Sequence, residues 1–190
     1  RNVKDEFKKH GFTYGQCQDC KTLFQTPRPT LQAFEAFYRD TVSSKYWAEV
    51  LFPSVAEARR ERIFRPRVEL LTQLCEARGE KIHQLIDVGA GYGIFLDEWR
   101  KVLPKSHLVA VEPSTYLAAE CRIKGFEVVE SIVEQVEGYE NFADMVVCFE
   151  VLEHVHEPLA FVETLMRLAK PGGLVSISTL CIDGFDLQVL

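Results

Sequence analysis

From residue 84 onward, short apolar runs alternate with segments whose apolar residues recur at helical spacing. The apolar runs are 85–88, 108–111, 126–129, 145–149 and 174–180. Runs that are mostly apolar, without strict alternation of apolar and polar residues, are typical of strands buried on both faces of a sheet. The pattern therefore predicts an α/β fold with a doubly wound, mostly parallel sheet.

The segments between these runs carry helix signals. Ser114 suits the N-cap of the helix after the second strand, and Pro158 suits the first turn of the helix before the last strand. Pro171-Gly172-Gly173 predicts that this last helix ends in a tight turn. We expect helical crossovers between the strands, because parallel neighbours cannot be joined by a hairpin.

The first 80 residues differ from the rest in pattern. Residues 14–29 have the composition of a loop and include a Cys-x-x-Cys, whereas 31–38 and 55–77 predict helices, the second interrupted at Pro66. We therefore expect residues 1–80 to form an N-terminal Cys-x-x-Cys segment with a helical cap, and residues 81–190 to form the domain that holds the sheet.

Composition and charge exclude several classes of function. Of the 190 residues 47% are hydrophobic, which is enough for a full core, and the net charge is −6. No stripe of Lys or Arg is available for a nucleic-acid backbone, and no apolar run approaches the ~20 residues of a membrane helix. We expect a cytoplasmic protein that binds neither nucleic acid nor membrane, without a disulfide framework.

A glycine-rich loop follows the first predicted strand, with Asp87 ahead of Gly89, Gly91 and Gly93. Glycines allow the backbone to turn sharply and to approach a ligand closely. A dinucleotide fingerprint would place its third glycine one residue later, where Ile94 stands, so the spacing disfavours a nicotinamide-dependent reductase. Glu112, at the end of the second predicted strand, can accept hydrogen bonds from both ribose hydroxyls of a nucleoside.

Four segments in this order resemble the successive motifs of class I S-adenosylmethionine-dependent methyltransferases. They are Ile86-Asp-Val-Gly-Ala-Gly-Tyr-Gly-Ile94, Val111-Glu-Pro-Ser114, Phe149-Glu-Val-Leu-Glu-His154 and Leu168-Ala-Lys-Pro-Gly-Gly-Leu174. The resemblance covers roughly residues 80–185 and implies S-adenosylmethionine as the cofactor. It also implies that cofactor-binding positions are Asp87, Gly89, Ala90, Gly91 and Gly93 around the methionine portion, Glu112 and Pro113 at the ribose, Ser131 and Ile132 beside adenine, and Phe149 closing the site.

Glu150, Glu153 and His154 follow the fourth predicted strand, beside the expected methyl group. Methyl transfer needs alignment of donor and acceptor and, for an oxygen acceptor, removal of a proton. His154 can act as that base, with Glu150 tuning its charge. The same residues also resemble a divalent-metal site of ubiquinone-type and small-RNA O-methyltransferases. A third interpretation is an ordinary helix start, in which acidic residues favour the N-terminal end of the dipole.

Cys17 and Cys20 have the spacing of a zinc knuckle, but a closed structural zinc site needs four ligands. Their surroundings resemble a methyltransferase group that carries an N-terminal four-cysteine zinc module and is associated with sugar-nucleotide or polysaccharide modification. The resemblance implies that the two cysteines are half of a zinc site. His10 is either a third ligand or a solvated loop residue. Tyr38, Tyr46 and Trp47 are either a lid over the site or core residues.

The resemblance implies seven strands, of which the sequence accounts for five, so we expect the C-terminal hairpin to be missing. An uncovered fifth strand would pair with a second copy, which predicts a homodimer. The predicted function is methyl transfer to a small-molecule acceptor, such as a sugar or related metabolite. The alternatives are a metal-assisted O-methyltransferase acting on a catechol-like or ribose hydroxyl, and a non-catalytic S-adenosylmethionine-binding module.

Overall fold

The computed structural model describes residues 3–39 and 41–181, which divide into two compact units. The smaller unit, built on residues 3–34, is a three-stranded antiparallel sheet of β1 (Val3–Lys9), β2 (Phe12–Cys17) and β3 (Leu23–Gln25). The prediction of a loop over 14–29 is therefore wrong in part. Phe7 lies opposite Tyr14 across the β1–β2 pair and their rings stack at 4.9 Å, a cross-strand contact that local composition does not reveal.

A run of helices leads into the larger unit, residues 35–179. Its segments are α1 (Leu31–Arg39), α2 (Val42–Tyr46), a π-helical turn (Trp47–Leu51), α3 (Phe52–Arg59), a second π-helical turn (Arg60–Phe64) and α4 (Arg65–Arg78). The expected interruption at Pro66 is not a break. Pro66 occupies the first turn of α4, where its missing N–H costs little, and the chain passes into that turn through the π-helical segment.

The larger unit contains a five-stranded parallel sheet in the order β6-β5-β4-β7-β8. Its strands are β4 (Gln84–Val88), β5 (His107–Val111), β6 (Glu127–Val129), β7 (Ala143–Phe149) and β8 (Ala169–Ser178). The α-helical crossovers are α5 (Ile94–Val102), α6 (Thr115–Ile123) and α7 (Pro158–Leu168), whereas a 3-10 turn (Val133–Gln135) lies between β6 and β7. The predicted α/β fold with a mostly parallel sheet is confirmed.

Strand β8 differs from the prediction at both ends. It begins at Ala169 and runs through the Pro-Gly-Gly segment, where the register against β7 shifts between Ala143 and Met145. Glycine is needed there because a Cβ on Gly173 would lie 2.9 Å from the carbonyl oxygen of Lys170. The tight turn predicted from this sequence is thus an irregularity inside the strand.

The hydrophobic core consists of two clusters on the two faces of the sheet. Leu85 belongs to one cluster and Ile86 to the other, as the alternation of side chains along β4 requires. The first cluster is closed by α5, through Phe95 and Trp99, and by Val68 of α4. The thiols of Cys75, Cys121 and Cys148 are buried, whereas Cys181 is exposed.

Some expectations lie beyond these observations. Residues 182–190, to which the expectation about the C-terminal hairpin refers, lie outside the described residues. The homodimer and the domain boundary at residue 80 stay predictions, although α4 belongs to the same compact unit as the sheet. In the part of the chain that the structure describes, no helix has the length and hydropathy of a membrane span.

Candidate cofactor and active site

The glycine loop leaves the carboxyl end of β4 and crosses toward β5. The N–H groups of Gly89 and Ala90 donate to the carbonyl oxygen of Val111 at 2.8 and 3.3 Å. Gly89, Gly91 and Gly93 have φ of 74°, 55° and 69°. A Cβ on Gly89 would lie 2.4 Å from Cγ2 of Val151, whereas a Cβ on Gly91 would meet only a carbonyl oxygen at 3.9 Å. The loop therefore packs on the protein at Gly89 and faces open space at Gly91.

Glu112 joins this loop to the segment that follows β5. Its Oε2 accepts a hydrogen bond from the N–H of Gly91 at 2.8 Å, and its Oε1 accepts one from the N–H of Ser114 at 2.9 Å. The residue is only 5% exposed, and burial raises the pKa of its carboxyl to about 7 against the opposing effect of these two bonds. The acid predicted to bind ribose is thus next to the open part of the loop.

Asp87 lies at the end of β4 and is 3% exposed. Burial, together with the negative charge of Glu112, raises the pKa of the Asp87 carboxyl to about 8, and Arg67 opposes this shift. No protein group within residues 3–39 and 41–181 donates a hydrogen bond to this carboxylate. A buried acceptor without a protein donor suits a ligand that supplies one, such as the amino group of the methionine portion of the cofactor.

The residues predicted beside ribose and adenine also come together. Pro113, Ser131 and Ile132 line one small cleft, whose other walls include Glu35 and Arg39 of α1. The 3-10 turn after β6 is tied to α1 because Nε2 of Gln135 donates to Oε1 of Glu35 at 3.1 Å. The end of α1 therefore forms part of this cleft, a contribution that the sequence did not predict.

Phe149, at the end of β7, is in contact with the ring of Phe95 and the guanidinium group of Arg67. Its ring meets that of Phe95 edge-on with centroids 5.0 Å apart, and the guanidinium carbon of Arg67 lies 4.7 Å from its ring centroid. The contact between Arg67 and Phe149 is a cation–π interaction. Through this contact α4 reaches the carboxyl edge of the sheet, where the predicted cofactor would place its methyl group.

Glu150 follows Phe149 with a φ of 57°, a conformation that costs energy for a residue other than glycine. Its Oε1 accepts hydrogen bonds from Nη2 of Arg67 at 2.7 Å and from Oγ of Ser178 at 2.8 Å. These bonds tie the carboxylate to α4 and β8, and none of its hydrogen bonds is to His154. Its predicted catalytic role stays a prediction, and the structure adds a role in joining α4 to the sheet.

His154 ends a 3-10 turn, Leu152–His154, and is exposed. Its ring centroid lies 6.1 Å from that of Tyr38, and the neighbouring Glu153 accepts a hydrogen bond from Oγ1 of Thr179 at 2.9 Å. Burial, followed by the charges of Glu153 and Glu112, raises the pKa of the Tyr38 hydroxyl. Tyr38 is thus close to both carboxylates, as a lid residue would be, whereas Tyr46 is 52% exposed.

The predicted metal ligands do not assemble into a complete site. Among the described residues, no three His, Cys, Asp or Glu side chains are placed to hold a metal ion, whether around Glu150 or around Cys17. Cys17 and Cys20 flank a tight turn in which the N–H of Lys21 donates to the carbonyl oxygen of Cys17 at 2.9 Å. The Sγ of Cys20 lies 3.2 Å from Oγ1 of Thr22, and this contact lowers the pKa of the thiol to about 7.

Three residues of this region were missed by sequence reasoning. Val151 packs against Gly89, Ser178 donates to Glu150, and Arg67 contacts both Phe149 and Glu150. Each meets its partner only after the chain has folded, since Arg67 lies far from Phe149 in sequence. The charge of Arg67, next to Pro66 in a predicted helix, was the one signal available, and it does not indicate a partner.

Comparison with known proteins decides the family. Residues 55–188 match the family model described as a methyltransferase domain. The chain belongs to this family. The predictions of a class I S-adenosylmethionine-dependent methyltransferase and of its cofactor are thereby confirmed. This chain is 31% identical over 104 residues to the ubiquinone biosynthesis O-methyltransferase of Xanthomonas oryzae pv. oryzae, an alignment covering 51% of this chain and 43% of that protein.

Solved structures share the fold at lower identity. The sugar N-methyltransferase from a Streptoalloteichus species has a TM-score of 0.59 and 19% identity, over 70% of this chain and 55% of that one. The plantazolicin methyltransferase, crystallised with SAH, has a TM-score of 0.58 and 12% identity, over 80% and 61% of the two chains. The chain spans about half the length of the curated relatives it matches. The solved structures show the fold alone.

Proposed function

We propose that this chain binds S-adenosylmethionine and transfers its methyl group to an oxygen or carbon atom of a small molecule, a sugar or related metabolite. The observation that carries the proposal is the pair of buried carboxylates at adjacent strand ends. Among the described residues Asp87 has no protein donor, and Glu112 borders the open backbone at Gly91. When bound, S-adenosylmethionine supplies a methyl group on a sulfonium, which needs alignment with its acceptor more than covalent chemistry.

Different residues along the carboxyl edge of the sheet bind different parts of the cofactor. Asp87 accepts hydrogen bonds from the amino group of the methionine portion, and Glu112 accepts them from the ribose hydroxyls. Ser131 and Ile132 contact adenine, and Phe149 closes the site over the sulfonium. These roles predict tight binding of S-adenosylhomocysteine and none of NAD, which isothermal titration calorimetry measures directly. Binding of NAD alone would contradict the proposal.

We infer that His154 removes a proton from the acceptor where the acceptor is a hydroxyl. The ring is exposed and lies beside Tyr38, which is close to the carboxylates of the site. His154→Ala is expected to lower turnover at least tenfold and to leave the affinity for S-adenosylhomocysteine within twofold. His156→Ala, two residues further along, is the matched control. Unchanged turnover in His154→Ala would remove the residue from the mechanism.

An O-methyltransferase acting on a catechol-like hydroxyl is the second candidate, because the curated relatives are ubiquinone biosynthesis O-methyltransferases. Its metal-assisted form predicts that magnesium stimulates methylation of a catechol and that Glu150→Ala abolishes the stimulation. A non-catalytic module would instead bind S-adenosylhomocysteine and methylate no member of a panel of sugars and catechols.

We also propose that Cys17 and Cys20 supply two thiolates to a zinc ion, as in the sugar-associated group that the sequence resembles. The proposal is supported by the Cys-x-x-Cys spacing and by the tight turn between β2 and β3 that carries it. Elemental analysis of the purified chain is expected to find zinc, and to find less in Cys17→Ser. Equal zinc in the two proteins would contradict this assignment.

A further inference from the structure

Two arginines flank the second π-helical turn, Arg59 at the end of α3 and Arg67 at the start of α4. Their guanidinium carbons lie 5.4 and 5.9 Å from the ring centroid of Phe64, so both cations contact one aromatic ring. The Nε of Arg59 and the Nη1 of Arg67 are buried and have no hydrogen-bond partner within the described chain. Two unused donors therefore lie in the same region.

Such donors are costly to leave unpaired. A buried donor without an acceptor destabilises the folded protein, and the effect is larger when the donor belongs to a charged group. The neighbouring Arg60 and Arg65 avoid this cost because both bind Glu98. Arg59 has no ion pair or hydrogen bond within residues 3–39 and 41–181, and its contacts there are with aromatic rings. Within the described residues, the partly buried Arg59 thus has no directly bound anion, and the carboxylate whose charge acts on it is that of Glu150, which is already paired with Arg67.

The arginine pair borders the place of methyl transfer. Arg67 donates to Glu150 through Nη2 at 2.7 Å, which leaves Nη1 unused, and it covers the ring of Phe149. Its charge also reaches the buried carboxylate of Asp87. Burial and the charge of Arg67 lower the pKa of the Arg59 guanidinium, against the opposing charge of Glu150, and the guanidinium stays charged at neutral pH. An anion held there would lie beside the carboxyl ends of β4 and β7.

We propose that Arg59 and Arg67 form an oxyanion site for the methyl acceptor, so that the substrate carries a carboxylate or a phosphate. This inference deepens the proposed function and rests on it. A guanidinium group offers planar, paired N–H donors that match the oxygens of a carboxylate or of a phosphate. The unpaired Nε of Arg59 and Nη1 of Arg67 would donate to such an anion from two sides. A neutral sugar or an unsubstituted catechol would leave both donors unpaired.

Titration of the full chain with inorganic phosphate and, separately, with acetate tests the site at constant ionic strength. We expect saturable binding of at least one anion by calorimetry, with a matching rise in melting temperature. Arg59→Gln is expected to weaken this binding at least tenfold and to leave the melting temperature without ligand unchanged or higher, because it removes an unpaired donor. Arg62→Gln, which removes an exposed charge from the same turn, is the control. Arg59→Lys keeps the charge and is expected to bind more weakly than wild type.

Repeating the titration with saturating S-adenosylhomocysteine separates the two sources of an oxyanion. Unchanged phosphate or acetate binding supports a site for the acceptor. Displacement of the anion by S-adenosylhomocysteine would show that the donors hold the carboxylate of the cofactor, and would overturn the proposal. Absence of anion binding, or equal loss in Arg59→Gln and Arg62→Gln, would overturn it as well. The proposed function fails separately, if S-adenosylhomocysteine itself does not bind.

Discussion

The contact between Gly89 and Val151 provides a quantitative test of how the glycine loop is held. In Gly89→Ala the new Cβ would lie 2.4 Å from Cγ2 of Val151, on a backbone whose φ is 74°. The left-handed conformation costs an alanine about 1–2 kcal/mol. Forcing a methyl group into a packed contact costs a further ~1–3 kcal/mol. The free energy of unfolding should therefore fall by about 2–5 kcal/mol.

Gly91→Ala separates these two costs. Its φ of 55° carries the same conformational penalty, but its Cβ would meet only the carbonyl oxygen of Gly89 at 3.9 Å. We expect a loss of about 1–2 kcal/mol in stability. The affinity for S-adenosylhomocysteine should fall by more than tenfold, because the methyl group projects into space that the ligand needs.

Urea unfolding of a double-mutant cycle measures the clash by itself. Val151→Ala removes Cγ2, so it should restore part of the stability lost in Gly89→Ala, with a coupling energy of about 1–3 kcal/mol. Val151→Ala combined with Gly91→Ala is the control and should be additive. A coupling below about 0.5 kcal/mol between positions 89 and 151 would refute the argument, since the loss would then come from the backbone alone.

Three further predictions concern the buried groups. The folded state keeps the protons of Asp87 and Glu112 up to about pH 8 and about pH 7, whereas the unfolded chain releases them near their usual values of 3.8 and 4.5. The free energy of unfolding without ligand should therefore fall by roughly 6 kcal/mol, summed over the two groups, as the pH rises from 5 to 8. Urea titrations at several pH values would show this fall. Glu112→Gln should reduce the dependence of the free energy of unfolding on pH. It should also weaken S-adenosylhomocysteine binding at least tenfold in calorimetry, because an amide cannot accept two N–H bonds and ribose hydroxyls equally well. An unchanged pH dependence would assign the loss of stability to other groups. Trp99 is completely buried, but its Nε1 has no hydrogen-bond partner in the described structure. Thermal unfolding should therefore show that Trp99→Ala lowers the free energy of unfolding by about 3–5 kcal/mol and that Trp99→Phe lowers it much less. Equal losses in the two variants would reveal a hydrogen bond of the indole N–H that the structure does not show.

The parallel sheet could be predicted because its central strands β4, β5 and β7 are apolar at most positions and not only at every second one. Burial on both faces leaves this signature whatever the partners are, and the predicted starts of β4 and β5 are within one residue of the observed ones. The small antiparallel sheet was missed because β1 is rich in Lys, Asp and Glu, with Phe7 as its one aromatic residue. Its stacking on Tyr14 depends on a turn that brings the strands together.

The candidate site was predictable to the extent that it depends on strand ends. Asp87 lies at the end of β4, Gly91 follows that strand and Glu112 follows the adjacent parallel strand β5, so their sequence positions imply that they meet. Glu150 also follows a strand, but its side chain is oriented by Arg67 and Ser178, which come from other elements. A position at a strand end could be read from the sequence, whereas the direction of a side chain there depended on distant residues.

The bonds of Glu112 show why cofactor binding and loop conformation must be linked. Both carboxylate oxygens already accept backbone N–H bonds, one from Gly91 and one from Ser114. Each carboxylate oxygen has two lone pairs, so ribose hydroxyls can be added without breaking either bond. The protein thus holds the carboxylate and the open loop in place before the ligand arrives, which reduces the ordering cost of binding. The price is a buried acid whose ionisation near neutral pH is costly, and donors from the ligand are what offset that cost.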